Sequence, residues 1–255
     1  MRAAVTGATG RMGRTVISVL DDRDVDVAFA VSRSPGDGPI AGHDVEERSR
    51  FADLLSARDP DVVIDFTAPD ASVEYVGAAA EAGVPVVVGT TGFDDDHRAS
   101  LAAAGERIPV LLGANFARGV QALIGAVEEA VASLPAYDVE LTETHHDGKR
   151  DAPSGTATVI LDRIDDARGR DHDRVHGRDG IAPRTTDEIG VHARRAGDVT
   201  GEHEVLLAGN HESLSLTHRA GSRDVFAEGA IDAAGWLVAQ SPGLRRFADI
   251  ADELA

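Results

Sequence analysis

The first thirty residues restrict the fold more than any other stretch. "RAAVTG" (Arg2–Gly7) reads as a short apolar strand. Gly7, Gly10 and Gly13 then spell a G-x-x-G-x-x-G turn, and Val16, Ile17, Val19 and Leu20 recur at helical spacing before a second apolar run, "VDVAFAVS". Strand, glycine turn, helix and strand make a βαβ unit, which requires a parallel sheet with a helix on its face. The pattern recurs along the chain. "DVVIDFT", "VPVVVGTTG" and "PVLLGANF" read as strands that run into loops, separated by the helical stretches "SVEYVGAAAEAG" and "LAAAGERI". Continuous Val/Ile runs, rather than alternation with polar residues, predict strands buried on both faces.

The first half is therefore expected to be an α/β, Rossmann-like parallel sheet. Glycines between the first strand and its helix let the backbone approach a pyrophosphate that lies on the helix N-terminus. This makes Gly7, Ala8, Thr9, Gly10, Arg11 and Met12 candidate cofactor-binding residues. A fold that selects NAD usually places an acid at the end of the second strand, on the ribose 2′-hydroxyl. Here the place holds Ser32 and Arg33, and a guanidinium pairs well with a phosphate. NADPH is the expected preference, with NADH possible. Ligands in such sheets lie beyond the carboxyl ends of the strands. That points to the loops Phe66–Pro69, Gly89–Gly92 and Gly113–Phe116, whose backbone groups can hold a nicotinamide amide.

The second half has a different pattern. A helix, "ARGVQALIGAVEEAVASL", ends at Pro135, and "YDVELTET" alternates like a half-buried strand. A helix opens at Pro153 and Ser154, a polar Gly/Arg-rich stretch (168–186) reads as loop, and "DEIGVHARR", "GEHEVLLAG" and "SLSLTHRA" alternate as strands. Alternation predicts antiparallel pairing with one face solvated. The expected second domain is α+β on a mainly antiparallel open sheet. We expect a dinucleotide-binding domain of residues 1–115 with 222–255, and a substrate-binding and oligomerisation domain of residues 116–221. The uncovered sheet face predicts association between copies.

Composition narrows the partners. A formal net charge of −19 repels phosphate backbones and anionic lipid headgroups, so neither nucleic acid nor a membrane surface is expected. Forty-four acids scattered along the chain suit a high-salt interior. No cysteine is present, which excludes thiolate chemistry, and no apolar run reaches the roughly 20 residues of a membrane span. The N-terminus shows no secretory leader, so a cytoplasmic protein is expected.

Twenty-five residues are lysine or arginine, and the only lysine is Lys149, inside "HHDGKRDAPSGTA" (His145–Ala157). Arginine's very high pKa makes it a poor proton donor, so an ammonium retained at one position marks a chemical need for it. His145 and His146 are the side chains best suited to exchange protons near neutrality. The helix start at Ser154, Gly155 and Thr156 offers peptide N–H groups to an anion. Together these predict a small dicarboxylate substrate. No metal site is expected, because neighbouring strand residues point to opposite faces and helical i, i+4 histidine spacing is absent.

"GATGRMG", "DFTAP", "GTTG", "GANF", "HHDGKRDAPSGTA" and "RAGDVTGEHEV" together resemble the 4-hydroxy-tetrahydrodipicolinate reductase (dihydrodipicolinate reductase) family, across the whole chain. The resemblance implies hydride transfer from NAD(P)H to C4 of a dihydrodipicolinate ring, formed from the hydroxy substrate by loss of water, in lysine and diaminopimelate biosynthesis. It assigns His145 as proton donor and Lys149 as second catalytic residue. It places His146, Gly155 and Thr156 on the substrate. Gly7–Met12, Gly89, Thr90, Thr91, Gly113, Ala114, Asn115 and Phe116 match the family's cofactor loops. Ser32 stands where the family often has an acid, while Arg33 matches its arginine. The resemblance also implies a homotetramer, and the acid-rich composition a halophilic source.

Two other readings stay open: a non-catalytic NADP-sensing regulator on the same fold, and a reductase of another small di-acid. Short-chain dehydrogenase chemistry needs Tyr-x-x-x-Lys, but Tyr75 and Tyr137 are followed four residues later by Ala79 and Leu141.

Overall fold

A computed structural model describes residues 1–36 and 38–254. The chain folds as two compact units, Met1–Ala117 with Arg223–Ala255, and Arg118–Ser222.

In the first unit, β1 (Arg2–Thr6) leads through the glycine turn into α1 (Arg11–Asp22) and β2 (Asp26–Ser32). β3 (Val45–Glu47) joins α2 (Phe51–Arg58) through a 3-10 turn. Neither is among the expectations from sequence. β3 has only three residues, too few to show a period, whereas Phe51, Leu54 and Leu55 do carry helical spacing and are buried. β4 (Val62–Asp65), α3 (Pro69–Ala82), β5 (Val86–Val88), α4 (Asp95–Gly105) and β6 (Pro109–Leu112) complete the segment. α3 opens with Pro69 in its first turn and stops at Gly83, whose φ of 77° few other residues tolerate.

The second unit contains α5 (Arg118–Ser133), β7 (Asp138–His145), α6 (Gly155–Arg168), β8 (Asp173–Val175), β9 (Glu188–Arg195), β10 (Gly201–Gly209) and β11 (Glu212–Ala220). Its sheet has the order β11-β10-β7-β9-β8. β10 runs antiparallel to β11 and β7, and β9 runs parallel to β7 and β8. The sheet is thus mixed. β9 and β10 do not pair with each other, because β7 lies between them. β7 reaches β8 and β9 only after the α6 crossover, the type of connection that parallel strands require. β8 lies inside the stretch that reads as loop in the sequence; three residues, "DRV", carry no readable period. β10 and β11 form a hairpin whose two linking residues, Asn210 and His211, both take positive φ, as a type I′ turn requires.

Register sets one face of this sheet. Val139, Leu141 and Glu143 of β7 stand opposite Leu207, Val205 and His203 of β10, and all six are buried. Ile189 and Val191 of β9 share that face, and Ile160 and Ile164 of α6 and Val127 of α5 are buried with no exposure. The alternate residues Thr142, His192, Glu204 and Leu206 are only part-buried. Glu143 and His203 are therefore polar groups in an apolar register, and each needs a partner.

The chain returns to the first unit as α7 (Asp224–Leu237), β12 (Gly243–Arg246) and α8 (Phe247–Ile250). The seven-stranded sheet has the order β12-β6-β5-β4-β1-β2-β3, parallel throughout. One core joins α1 and α7 to Val5, Ile64, Val87 and Leu111; the other joins α2, α3 and α4 to Ala4, Val63, Val88 and Val110. Both faces are covered, as the Val/Ile runs require. Among the described residues no helix is long and apolar enough to cross a membrane.

Candidate active site

In the first unit the sheet order reverses between β1 and β4, which opens a crevice beyond the carboxyl ends of the strands. The candidate cofactor residues follow those ends: Gly7–Met12 after β1, Ser32 and Arg33 at β2, Gly89–Thr91 after β5 and Gly113–Phe116 after β6. Gly7 has φ 69°, and a Cβ there would stand 2.3 Å from the Phe66 carbonyl oxygen. A Cβ on Gly13 would stand 2.2 Å from the Gly7 oxygen. These two glycines permit the tight turn and the close seat of α1. Gly10 caps α1 with no side-chain hydrogen bond, which leaves the peptide N–H groups of the first turn free of a capping side chain, as an anion site needs. Arg11 and Arg33 are exposed beside this turn and beyond β2. The donor set fits a nicotinamide dinucleotide.

Four of the candidate side chains point inward, among them Ala8 with no exposure. Ser32 is 6% exposed and its hydroxyl lies 2.6 Å from that of Thr9. Phe116 is 1% exposed, packed on Phe66 and Phe247. Thr90 is 7% exposed and donates to Asp65 at 2.8 Å. Phe116 and Thr90 can meet a ligand only through their main chain, because the phenyl ring completes the core and the hydroxyl is already bonded. Thr91 and Ala114 are exposed, and Asn115 Oδ1 accepts from Ala117 N at 2.9 Å. Asp65 itself is fully buried and accepts from the hydroxyls of Thr6, Thr67, Ser72 and Thr90 at 2.5, 2.7, 2.6 and 2.8 Å. Sequence reading passes over it, because "DVVIDFT" looks merely apolar. One carboxylate thus ties the ends of β1 and β4 to α3 and to the Gly89–Thr91 loop.

In the second unit, His145 ends β7, His146 and Lys149 follow in the loop, and Gly155 and Thr156 open α6. Ser154 caps α6, its hydroxyl accepting from Ala157 N at 3.2 Å. Lys149 Nζ lies 2.8 Å from Asp151 Oδ1, and the Gly155 N–H also donates to that carboxylate. Burial alone would raise the Asp151 pKa, but the Lys149 and backbone hydrogen bonds hold it below the ordinary carboxylate value. The helix start and the ammonium therefore already share one carboxylate.

His145 Nδ1 hydrogen-bonds Glu143, which has no exposure. Arg195 grips the same carboxylate with two nitrogens, at 3.0 and 2.8 Å. Burial pushes the His145 pKa down; Glu143 opposes this, and Lys149 and Arg195 add to it, leaving it below the usual histidine value. His203 packs edge-on against His145 with ring centroids 5.2 Å apart, and its Nε2 lies 3.0 Å from the Ser154 hydroxyl. Burial lowers its pKa to about 4, so it stays neutral under working conditions. Arg195 and His203 lie in the motif "RAGDVTGEHEV", but the sequence reading gives neither them nor Glu143 a role. The signal is present in part: Glu143 and His145 are i and i+2 on a strand, hence on one face.

Comparison with known proteins shows which family the chain belongs to. The family described as dihydrodipicolinate reductase, N-terminus, matches residues 1–116, and dihydrodipicolinate reductase, C-terminus, matches residues 119–251. The chain belongs to the dihydrodipicolinate reductase family. It is 55% identical over 249 residues to a 4-hydroxy-tetrahydrodipicolinate reductase of Natronomonas pharaonis, covering 98% of this chain and 99% of the relative. It is 52% identical over 253 residues to the enzyme of that name from Haloarcula marismortui, again with 98% and 99% coverage. A solved dihydrodipicolinate reductase from Paenisporosarcina sp. TG-14, bound to dipicolinate, shares the fold with a TM-score of 0.80 at 24% identity, over 98% of this chain and 99% of that one. This reductase is an oxidoreductase of diaminopimelate and lysine biosynthesis that uses a nicotinamide cofactor. Its acid-rich, almost lysine-free composition accords with the halophilic archaeal relatives.

Proposed function

We propose that this reductase converts 4-hydroxy-tetrahydrodipicolinate, by way of dihydrodipicolinate, to tetrahydrodipicolinate, with NADPH preferred over NADH. The observation that carries the substrate assignment is the carboxylate of Asp151, held by Lys149 and the first peptide N–H of α6. A substrate carboxylate would take these donors in place of Asp151. Gly155 and Thr156 would supply helix-start donors, Lys149 a compact positive charge, and His146 a further polar contact to the ring. Residues Gly7–Met12, Gly89–Thr91 and Gly113–Phe116 would hold the cofactor, which supplies a hydride to C4 of the ring. Reduction of the conjugated ring would also need a proton, and His145 is the side chain we assign to deliver it.

The test is NADPH oxidation on adding substrate generated by the preceding synthase, at both low and multimolar salt. No oxidation at either salt level, with cofactor still bound, would favour the NADP-sensing reading instead. A panel of other small di-acids separates this reaction from a related one.

Cofactor choice follows from Arg33. A guanidinium–phosphate contact is worth about 1.5–3 kcal/mol, so Arg33→Ala is expected to lower kcat/KM for NADPH by roughly 10- to 100-fold and leave NADH nearly unchanged. Equal losses with both cofactors would remove Arg33 from the 2′-phosphate.

A homotetramer formed through the part-buried face of the second sheet completes the proposal, supported by the half-covered Thr142, His192, Glu204 and Leu206. Sedimentation in high salt is expected to give four times the chain mass; a monomer mass would exclude it.

A further inference from the structure

Two charged residues outside the segment carrying His145 and Lys149 are hydrogen-bonded to that segment. We propose that Glu143 and Arg195 are positioning residues: the pair holds His145 with Nε2 as the proton-delivering nitrogen, and Arg195 binds the Lys149 loop to the same buried carboxylate. The inference rests on the reading of His145 as proton donor.

An ionised carboxylate only accepts hydrogen bonds. Glu143 is fully buried and lies against His145 Nδ1, so that nitrogen must carry a proton in both the charged and the neutral ring. The proton available for transfer is then the one on Nε2. After giving it up, the ring remains neutral with Nδ1–H still bonded to Glu143, and no tautomer change is needed. Gly201 keeps Nε2 clear, since a Cβ there would stand 3.2 Å from it.

Arg195 performs two tasks. Its two nitrogens hold Glu143 in one orientation, at 3.0 and 2.8 Å, and neutralise a charge that would otherwise be buried alone. The same guanidinium donates to the Asp151 carbonyl at 2.6 Å, and the Asp151 side chain bonds Lys149 Nζ at 2.8 Å. His145, Glu143, Arg195, Asp151 and Lys149 form one connected chain. In register terms Arg195 of β9 stands opposite His145 of β7, so the parallel pairing itself brings the guanidinium to the histidine.

The groups facing His145 within this unit are Glu143 on its own strand, Lys149 on the loop, Arg195 on β9 and His203 on β10. His203 is neutral, so three charges set the titration. Glu143 favours the imidazolium, and Lys149 and Arg195 disfavour it. A proton donor is active below its pKa and inactive above it. Removing the Glu143 charge therefore moves the alkaline fall of kcat to lower pH, and removing the Arg195 charge moves it to higher pH. Each shift is expected to be about one pH unit.

The experiment compares Glu143→Gln and Arg195→Gln with the full-length native enzyme. In the native enzyme, 15N NMR of the His145 ring, assigned by its loss in His145→Ala, is expected to show the proton on Nδ1 when the ring is neutral. The Glu143→Gln enzyme is expected to lose kcat by roughly 10- to 100-fold with KM nearly kept, and the two variants should shift the pH limb in opposite directions. A neutral ring protonated on Nε2 in the native enzyme overturns the proposal even if both variants fail to fold. So does a Glu143→Gln enzyme with native kcat and an unmoved pH limb while His145→Ala is inactive. If His145→Ala keeps native kcat, the proton-donor reading fails, and the NMR result still decides whether the pair fixes the ring.

Discussion

Replacing His145 with alanine is expected to lower kcat by about 10²- to 10⁴-fold, the usual contribution of a positioned general acid, with KM for the dicarboxylate close to native. The split follows from the site. His145 holds no substrate carboxylate in the proposed arrangement, so its loss falls on the protonation step rather than on binding. Loss of the fold would not explain the result. Glu143 keeps both bonds from Arg195 after the ring is gone, so no buried charge is left without a partner. Steady-state kinetics with a thermal melt of the same preparation checks both statements. A kcat within about threefold of native would end the assignment of His145.

Lys149→Ala is expected to impair both binding and turnover. The ammonium sits on a flexible stem at the α6 start, and a charge-assisted contact to a carboxylate is worth about 1.5–3 kcal/mol. KM should rise by roughly tenfold or more and kcat should fall by about 10²-fold, the scale of losing one electrostatic donor to the transition state. The fold should tolerate the change, since Asp151 is largely exposed and a pair of this kind contributes at most about 1 kcal/mol. Lys149→Arg separates the two roles. It keeps the charge, so KM should recover, while kcat should stay low if the compact, titratable ammonium is what the reaction needs. Full recovery of kcat by arginine would show that charge alone suffices, and native turnover in Lys149→Ala would remove the residue from catalysis.

His203 and Asp65 show where sequence reading stops. Asp65 sits between apolar neighbours in "DVVIDFT" and His203 between two glutamates in the alternating run "GEHEVLLAG", and neither setting marks it as more than a strand residue. Burial gives them their character. His203 is forced neutral by its surroundings and bonds the hydroxyl that caps α6. Asp65 collects four hydroxyls, of which only Thr67 and Ser72 are near it in sequence. The strand order of the second sheet belongs with these. Alternation along "DEIGVHARR" and "GEHEVLLAG" reveals which residues face inward, and it is blind to which strand lies beside which. That is why the parallel β7–β9 pair reads, from sequence, as antiparallel strands.

The sequence by itself determined the parallel α/β half, the glycine turn opening onto α1, and the His-His-x-x-Lys segment running into a capped helix. Each is written in residues close along the chain, where steric limits and periodicity act directly. Only the tertiary structure decided that His145 shares a buried carboxylate with Arg195. Glu143 and Arg195 are 52 positions apart, and they meet because β7 and β9 pair in one register after the α6 crossover. Such a pair depends on long-range strand pairing and on the energy of burying opposite charges together, and neither is encoded in a local pattern.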